Sequence, residues 1–311
     1  MTLVQLEYII AVDNYRHFAN AAEKCFVTQP SLSMQVQKLE DELGIKLFDR
    51  SKQPVVPTAA GAVVIEQARK IMAESNVIHE IVQEHKGMVA GTLHIGIIPT
   101  LAPYLLPLFI QPFLKKYPLL KLVVTELTTQ NIVKRLKESR IDAGILVTPL
   151  DEKGIKEDPL FYEELMAYVS RSDKNYKKQY ILPQDIDPEK VWLLEEGHCF
   201  RSQIINLCEL RKASAGSGHF QYEAGSIETL RRMVETNDGI TILPELATLN
   251  ISKQQTQLIR RFRQPAPMRE VSMVTHRDFV KKRLLGLLKE AILDRLPQKI
   301  KNNRPKNVIA L

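Results

Sequence analysis

Residues 28–44 read TQPSLSMQVQKLEDELG, and this stretch predicts the helix around which the N-terminal part of the chain is organised. The Thr28 side chain can cap the helix, and Pro30 falls in the first turn, where a missing N–H costs nothing. Gly44 is suited to end the helix, because glycine readily adopts a left-handed conformation. Apolar side chains recur at helical spacing and predict one packing stripe. They are Leu32, Val36, Leu39 and Leu43.

The opposite side of this helix is polar. Short polar side chains near a helix N-terminus can reach base edges in the major groove of DNA. The candidate DNA-binding residues on this helix are Thr28, Gln29, Pro30, Ser31, Ser33, Gln35 and Lys38. Two short strands are predicted around residues 47–56, and this wing would place Arg50 and Lys52 against phosphate or the minor groove. The spacing alone leaves DNA binding and a solvated helical hairpin equally open.

Three further helices are predicted around this one. Thr2 and Gln5 form a capping box for a first helix, a second covers residues 20–24, and Phe26 and Val27 make a turn. A long helix follows from Thr58 to about Lys86, and its apolar positions alternate spacings of four and three. This seam is typical of a coiled coil, so we expect a dimer; packing within one chain is the alternative. The seam consists of Val64, Ala68, Ile71, Ser75, Ile78 and Val82.

The bulk composition narrows the class of protein. The 311 residues suit two domains, and contents of 44% hydrophobic and 25% charged residues are ordinary for a globular protein. We find neither a long apolar span nor a signal peptide, and so expect a cytoplasmic protein without membrane contact. The net charge of +7 arises in residues 281–311, whereas residues 1–90 carry nine basic and eleven acidic side chains. Local placement, rather than net charge, must therefore support DNA binding.

The second part of the chain alternates predicted strands and helices from about residue 92 to residue 296. This pattern predicts an α/β domain with a mostly parallel sheet. Thr100 and Thr129 each follow a strand and could line one cleft, although a helix cap is the simpler role for either. We expect the basic residues after about Gln298 to be disordered.

The three cysteines are Cys25, Cys199 and Cys208, too few for a secreted disulfide framework and without zinc-site spacing. We therefore expect no metal and no cofactor, and Cys25 to be a core residue. Cys199 falls near a predicted helix N-terminus, which favours a thiolate. Across nine helical residues, the Cα atoms of Cys199 and Cys208 would lie roughly 13 Å apart on nearly opposite faces. A disulfide needs about 7 Å or less, so it requires this helix to unwind. Two inert thiols in an ordinary helix are the alternative.

The N-terminal part of the chain carries a series of short motifs: Ala21-Ala22, residues 28–33, residues 37–40, Leu43-Gly44, residues 47–50 and Thr58-x-x-Gly61. In their order and spacing these motifs resemble the winged helix-turn-helix of the LysR-type transcriptional regulators. Met34 stands where many members carry arginine. The resemblance implies an α/β protein with an N-terminal winged helix-turn-helix, a linker helix, and a two-lobed regulatory domain like the periplasmic binding proteins. The corresponding boundaries are residues 1–58, 59–90 and 91–300, with a basic tail at 301–311. Residues 87–91, which begin and end with glycine, look like a hinge after the linker helix.

The same resemblance implies how the lobes are joined and how the protein assembles. We expect the chain to cross between the lobes near residues 161–164 and 265–269. It also implies a regulator rather than an enzyme, with double-stranded DNA as partner and a tetramer of two dimers. RNA polymerase is a further candidate partner.

The segment Glu196-Gly197-His198-Cys199-x-Arg201, with Cys208 beyond it, resembles the redox segment of the peroxide-sensing LysR members. On that likeness Cys199 is the peroxidatic cysteine and Cys208 the resolving one, and hydrogen peroxide is the signal for oxidative-stress genes. The implied pocket residues are Thr100, Thr129, His198, Arg201 and Arg269. A LysR-type regulator of a small metabolite, with incidental cysteines, is the alternative. A thiol peroxidase or solute-binding protein fits less well, because neither accounts for the DNA-binding segment.

Overall fold

The computed structural model divides into one unit of Met1–Ala90 with Glu138–Arg140 and another of Gly91–Lys137 with Ile141–Leu311. It describes residues 1–85, 88–195, 199–208, 224–277, 279, 281–304 and 307–309. The expected hinge at 87–91 therefore lies partly outside the described residues. No helix in the described part of the chain is long and apolar enough to span a membrane.

The first unit is a helix-turn-helix with a two-stranded wing and a long helix. Its elements are α1 (Leu3–Tyr15), α2 (Phe18–Lys24), α3 (Gln29–Leu43), β1 (Phe48–Asp49), β2 (Val56–Pro57) and α4 (Ala59–His85). The predicted caps are present: Thr2 forms a capping box with Gln5, Thr28 caps α3, and Gly44 ends it at φ 69°. Strands β1 and β2 pair antiparallel, as expected for the wing.

The core of this unit confirms most of the predicted stripe on α3. Leu32, Val36 and Leu39 are fully buried, and α3 packs against α1 and α2. Leu43 was expected with them, but it is 38% exposed because it is the last residue of the helix. Gly61 brings the start of α4 against the wing, since a Cβ at this position would lie 2.0 Å from the Leu47 carbonyl oxygen.

The apolar seam of α4 divides into two parts. Ala68 is buried in the core of its own unit, and Val64 and Ile71 pack against that core. Farther along, Ile78 is 63% exposed and Val82 is 47% exposed. Packing within one chain, the alternative to a dimer, therefore accounts for the first half of the seam, whereas Ile78 and Val82 in the second half stay exposed among the described residues.

The second unit is a mixed α/β structure of eight strands and seven helices among the described residues. The strands are β3 (Ala90–Ile97), β4 (Leu119–Glu126), β5 (Ala143–Thr148), β6 (Ile155–Val169), β7 (Tyr180–Ile181), β8 (Ile240–Pro244), β9 (Ile259–Phe262) and β10 (Met268–His276). The helices are α5 (Ala102–Lys116), α6 (Thr129–Lys137), α7 (Cys199–Leu207), α8 (Ile227–Thr236), α9 (Lys253–Thr256), α10 (Lys282–Arg295) and α11 (Gln298–Lys301). Strand β3 begins in the last residue of the first unit.

The strand order is β4-β3-β5-β10-β6-β9-β7, with β8 also paired to β6. Strand β10 runs antiparallel to β5 and β6, and β6 runs antiparallel to β8 and β9. Parallel pairing is found for β3 with β5 and for β7 with β9. The expectation of a mostly parallel sheet is wrong, because β6 and β10 are long antiparallel neighbours and β6 also pairs antiparallel with β8 and β9.

The two crossings between the lobes lie where the resemblance implied. Strand β6 pairs with β10 up to Glu164 and with β8 from Leu165 onward. Strand β10 begins at Met268, opposite Glu164, so the return crossing lies just before it. The first half of β6 was not predicted as a strand, because its residues are mostly polar or charged and show no regular apolar alternation.

The C-terminal segment is ordered where the structure describes it. The Met268 amide donates to the Asn307 carbonyl at 2.8 Å, and the Ile309 amide donates to the Met268 carbonyl at 2.8 Å. Ile300 in α11 is 1% exposed. The expectation of a disordered tail is wrong, because residues 307–309 form a strap across the start of β10; we call these residues the C-terminal strap.

Candidate DNA-binding surface and redox helix

The exposed side of α3 carries most of the predicted DNA-binding residues. Gln29, Pro30 and Lys38 are exposed, as is Met34 at 51%. Thr28, itself exposed, accepts a hydrogen bond from the Ser31 amide and so fixes the helix start. Ser31, Ser33 and Gln35 are half-buried, and Gln35 accepts a hydrogen bond from the Gln5 side chain at 3.4 Å.

The wing is attached to α3 through Glu40, a contact that the sequence did not reveal. The Glu40 carboxylate is fully buried and accepts hydrogen bonds from the Leu47 amide at 2.8 Å and the Phe48 amide at 3.3 Å. Its other oxygen lies 3.5 Å from the Arg50 guanidinium. The polar side of α3 therefore holds the wing as well as facing solvent.

The two predicted wing cations differ in their surroundings. Arg50 donates to Ser33 at 3.1 Å and stacks over the Phe18 ring with its guanidinium carbon 4.8 Å from the centroid. Lys52 is 65% exposed and lies 3.8 Å from Asp49. The Ser51 hydroxyl and amide stabilise the charged form of Asp49 and lower its pKa. Arg50 is thus held beside α3, whereas Lys52 extends into solvent.

The two C-terminal cysteines lie at the two ends of α7. The helix begins at Cys199, and the Cys208 amide donates to the Ile204 carbonyl at 3.0 Å, so helical hydrogen bonding continues to Cys208. Nine helical steps separate the two Cα atoms by roughly 13 Å along the axis. The side chain of Cys199 lies outside the described part of the structure. The predicted separation of the two residues agrees with the backbone of α7.

The inner face of α7 packs into the apolar core of the second lobe. Phe200 and Ile204 are fully buried, and Cys208 is 9% exposed and part of the same core. Burial raises the pKa of the Cys208 thiol to about 12. Cys208 is therefore a neutral thiol at physiological pH. Cys25 is half-buried against the core of the first unit, as expected, and burial raises its pKa.

A buried ion pair lies at the crossing between the lobes, close to the start of α7. Arg269 on β10 and Glu163 on β6 are directly opposite in the register, are fully buried, and approach to 2.8 Å. Arg269 also donates to the Thr100 hydroxyl at 3.1 Å and the Thr100 carbonyl at 3.2 Å. Its guanidinium carbon lies 5.1 Å from the ring centroid of Phe200, the neighbour of Cys199.

This ion pair connects both lobes. Thr100 follows β3 in the first lobe, and Glu163 accepts a hydrogen bond at 2.9 Å from the amide of Leu246, which follows β8 in the second lobe. Of the predicted pocket residues, Thr100 and Arg269 are thus brought together. Glu163 and Phe200 were missed, since neither a strand glutamate nor a helix phenylalanine carries a distinguishing sequence signal.

The other predicted pocket residues have separate surroundings. The Thr129 hydroxyl, at the start of α6, is buried and has no hydrogen-bond partner among the described residues. Arg201 donates to the Leu194 carbonyl at 2.7 Å and so ties the first turn of α7 to the segment before it. His198 lies outside the described residues. No cluster of potential metal ligands is found in the described part of the chain.

The C-terminal strap also contacts α7, which the sequence did not suggest. The side chain of Gln203 is fully buried and donates to the Ile309 carbonyl at 3.1 Å. Ile309 packs against the same core as Cys208. The helix that carries both cysteines is therefore held by the core, by Arg269 at the start of β10 and by the strap.

Comparison with known proteins gives the family of both units. The model of the lysR-family bacterial regulatory helix-turn-helix protein matches residues 3–62. The LysR substrate binding domain matches residues 86–297. Together these matches span most of the chain, and both units therefore match models of the same family.

Individual relatives and solved structures indicate the same family. The hydrogen peroxide-inducible genes activator of Haemophilus influenzae is 37% identical over 88% of this chain and 90% of the relative. The DNA-binding transcriptional dual regulator OxyR of Escherichia coli K12 is 35% identical over 88% and 89%. A full-length OxyR structure from Pseudomonas aeruginosa has a TM-score of 0.78 at 32% identity, covering 94% of this chain and 98% of that one. These regulators are not enzymes, and the chain described here belongs to the LysR family of bacterial helix-turn-helix transcription regulators.

Proposed function

We propose that this transcription regulator responds to hydrogen peroxide, and that Cys199 and Cys208 form a disulfide when it does so. The observation that carries the proposal is the placement of both cysteines on α7, one at its first residue and one buried just beyond its last. The similarity to relatives named as hydrogen peroxide-inducible genes activators supports the same signal. Oxidative-stress genes are the corresponding targets.

The chemistry needs one oxidant and two thiols. The Cys199 thiolate attacks one oxygen of hydrogen peroxide, the O–O bond breaks, and Cys199 becomes a sulfenic acid as hydroxide leaves. The Cys208 sulfur then attacks the Cys199 sulfur, the S–O bond breaks, and the disulfide forms as the second oxygen leaves as water. Two thiols and one peroxide thus give one disulfide and two waters. The raised pKa of Cys208 keeps it out of the first step, since a neutral thiol does not compete for peroxide. Its own attack on Cys199 proceeds through the thiolate, which becomes accessible once α7 unwinds and the thiol leaves the core.

The first step is favoured by a stabilised thiolate. The unpaired amides at the start of α7 favour negative charge at Cys199. Arg269 lies against Phe200, the next residue, and brings the positive end of its ion pair with Glu163 into this region. Thr100, Thr129, His198 and Arg201 are the remaining groups that we assign to orienting peroxide or stabilising the leaving hydroxide. The unsatisfied hydroxyl of Thr129 supports this assignment, because a buried hydroxyl gains from a polar ligand.

The second step requires α7 to unwind. A disulfide spans about 7 Å or less between Cα atoms, and α7 holds them roughly 13 Å apart. Unwinding removes Phe200 and Ile204 from the core of the second lobe. Oxidation therefore converts a local reaction into a change in the regulatory unit, which is what a transcription switch needs.

DNA binding in this proposal uses α3 and the wing. Gln29 and its polar neighbours on α3 read bases, and Arg50 and Lys52 contact the backbone. The exposed Ile78 and Val82 support self-association through α4, because a dimer would cover them. We place two such dimers in a tetramer, and RNA polymerase remains a candidate partner at the promoter.

Intact mass spectrometry tests the redox proposal directly. One equivalent of hydrogen peroxide should remove two hydrogens from the reduced chain, and peptide mapping should find Cys199 linked to Cys208. A Cys208→Ser variant should stop at the sulfenic acid, trapped by dimedone, whereas the matched Cys25→Ser control should form the disulfide as the parent does. Free thiols at both positions after peroxide would contradict the proposal. If a small metabolite then altered DNA binding instead, the regulator would belong to the metabolite-responsive members of its family.

A further inference from the structure

Helix α2 ends in a turn that forces one residue into the left-handed conformation. The Val27 amide donates to the Ala22 carbonyl at 3.1 Å, and the Phe26 amide donates to the Glu23 carbonyl at 3.2 Å. This pair of bonds is a Schellman motif, and it places Phe26 at the position usually taken by glycine. Phe26 accordingly has φ 56°, where a Cβ approaches the following carbonyl oxygen. The backbone of this turn therefore disfavours a bulky residue at position 26.

The Phe26 side chain contributes almost nothing to the stability of the fold. Its ring is 96% exposed, the highest exposure among the large apolar side chains described. The next residue, Val27, instead packs against the core of the unit. Glycine or asparagine at position 26 would remove the strain and the exposed apolar surface together. What favours phenylalanine here must lie outside the isolated chain.

The position of Phe26 identifies that partner. It lies two residues before Thr28, whose side chain caps α3, and the exposed Gln29 and Pro30 follow directly. In helix-turn-helix proteins the N-terminal end of the second helix enters the major groove while the first helix crosses the backbone. The turn that joins the two helices therefore faces the sugar-phosphate wall of the groove. Deoxyribose offers apolar C–H surface there, next to the charged phosphates.

We propose that Phe26 packs against duplex DNA, with its ring on the deoxyribose surface at the wall of the major groove. The contact is apolar and does not depend on the base sequence. It releases no condensed counterions, unlike a contact from lysine or arginine, so it leaves the salt dependence of binding unchanged. This inference concerns DNA binding and does not depend on the peroxide proposal.

The test uses the reduced full-length chain and a fluorescent duplex of random sequence, titrated at several salt concentrations. Phe26→Asn should raise the midpoint of thermal unfolding and weaken DNA binding by about fivefold per subunit, as expected for a partly buried ring. The slope of log Kd against log salt should stay unchanged. Phe26→Tyr is the matched control: it keeps both the ring and the left-handed strain, and should keep the parent's affinity and stability. Lys52→Ala should instead reduce the salt slope by about one.

Three results would overturn the inference. Parental affinity in Phe26→Asn would show that the ring does not contact DNA. A lower unfolding midpoint in the same variant would show that the ring serves the fold. A loss of affinity accompanied by a smaller salt slope would show that position 26 acts through charge rather than through apolar contact.

Discussion

Replacing Arg269 by methionine removes the positive half of the buried ion pair at the lobe crossing. Arg269 and Glu163 are both fully buried, so the variant leaves a carboxylate without its counter-charge in the protein interior. The Thr100 hydroxyl and carbonyl lose their donor in the same step. Breaking a buried pair by removing one partner costs about 3–5 kcal/mol. We expect a loss of that size in the free energy of unfolding.

A second substitution separates the charge from the packing. In Arg269→Met/Glu163→Gln the buried charge is gone, while an amide oxygen at position 163 can still accept the Leu246 N–H. The double variant should therefore regain about 2 kcal/mol of the loss, because the remaining cost is that of neutral groups with imperfect partners. Glu163→Gln alone leaves Arg269 buried without a counter-charge and should be as unstable as Arg269→Met.

The measurement is urea unfolding of the reduced chain, followed by circular dichroism, for the parent and the three variants. A loss below about 1 kcal/mol in Arg269→Met, or a double variant less stable than both single variants, would refute the coupling of the two charges. Peroxide oxidation of Cys199 provides a second readout. It should be slower in Arg269→Met and stay slow in the double variant, because restoring stability does not restore the positive charge near Phe200.

Three further perturbations have defined outcomes. A chain that stops at Lys306 loses the strap, so Gln203 and Met268 lose their backbone partners. The unfolding midpoint should therefore fall. The disulfide should also form faster, which stopped-flow measurement of peroxide oxidation would detect. A slower reaction would show that the strap assists oxidation rather than holding α7. Thr28→Ala should lower the stability of the first unit by about 1 kcal/mol, because the cap to the Ser31 amide is lost. Thr28→Ser keeps a hydroxyl at this position and should retain most of the stability. Equal stability in all three chains would show that the cap contributes nothing. The folded-state pKa of Cys208 is raised from 9.0 to about 12, so its stabilising contribution is full below pH 9 and is lost as the pH rises toward 12. The free energy of unfolding should therefore decline less steeply with pH above pH 9 in Cys208→Ser than in the parent, and parallel declines would contradict the burial of this thiol.

The elements that local chemistry specifies were predictable from the sequence. Thr28 and Gly44 mark the two ends of α3, and Ser226 marks the start of α8, because short polar caps and left-handed glycines act within one turn of their own helix. Strand direction was not predictable, since a run of apolar residues reads the same in parallel and antiparallel pairs. The order of the C-terminal strap was not predictable either, because it rests on backbone bonds to Met268 and not on an apolar pattern of its own.

The same difference between local and long-range features applies to the candidate site. The cysteines and Thr100 could be named from their spacing and from resemblance, whereas Glu163 could not. Its position opposite Arg269 depends on the register of two strands about a hundred residues apart in the chain. Gln203 is similar, because its partner is a backbone carbonyl in the last described segment. Long-range partners of buried polar groups are the part of this site that required the structure.

Two of the three restraints on α7, the contact with Arg269 and the strap, meet at the start of β10 beside the lobe crossing. Phe200 lies against Arg269 on β10, and the strap that accepts from Gln203 is bonded to Met268, the preceding residue of the same strand. Unwinding α7 therefore releases two adjacent points at the start of β10, beside the crossing between the lobes. A disulfide that left α7 intact would leave both of these contacts in place. The location of α7, as much as the reactivity of Cys199, is what would let oxidation change the regulatory unit as a whole.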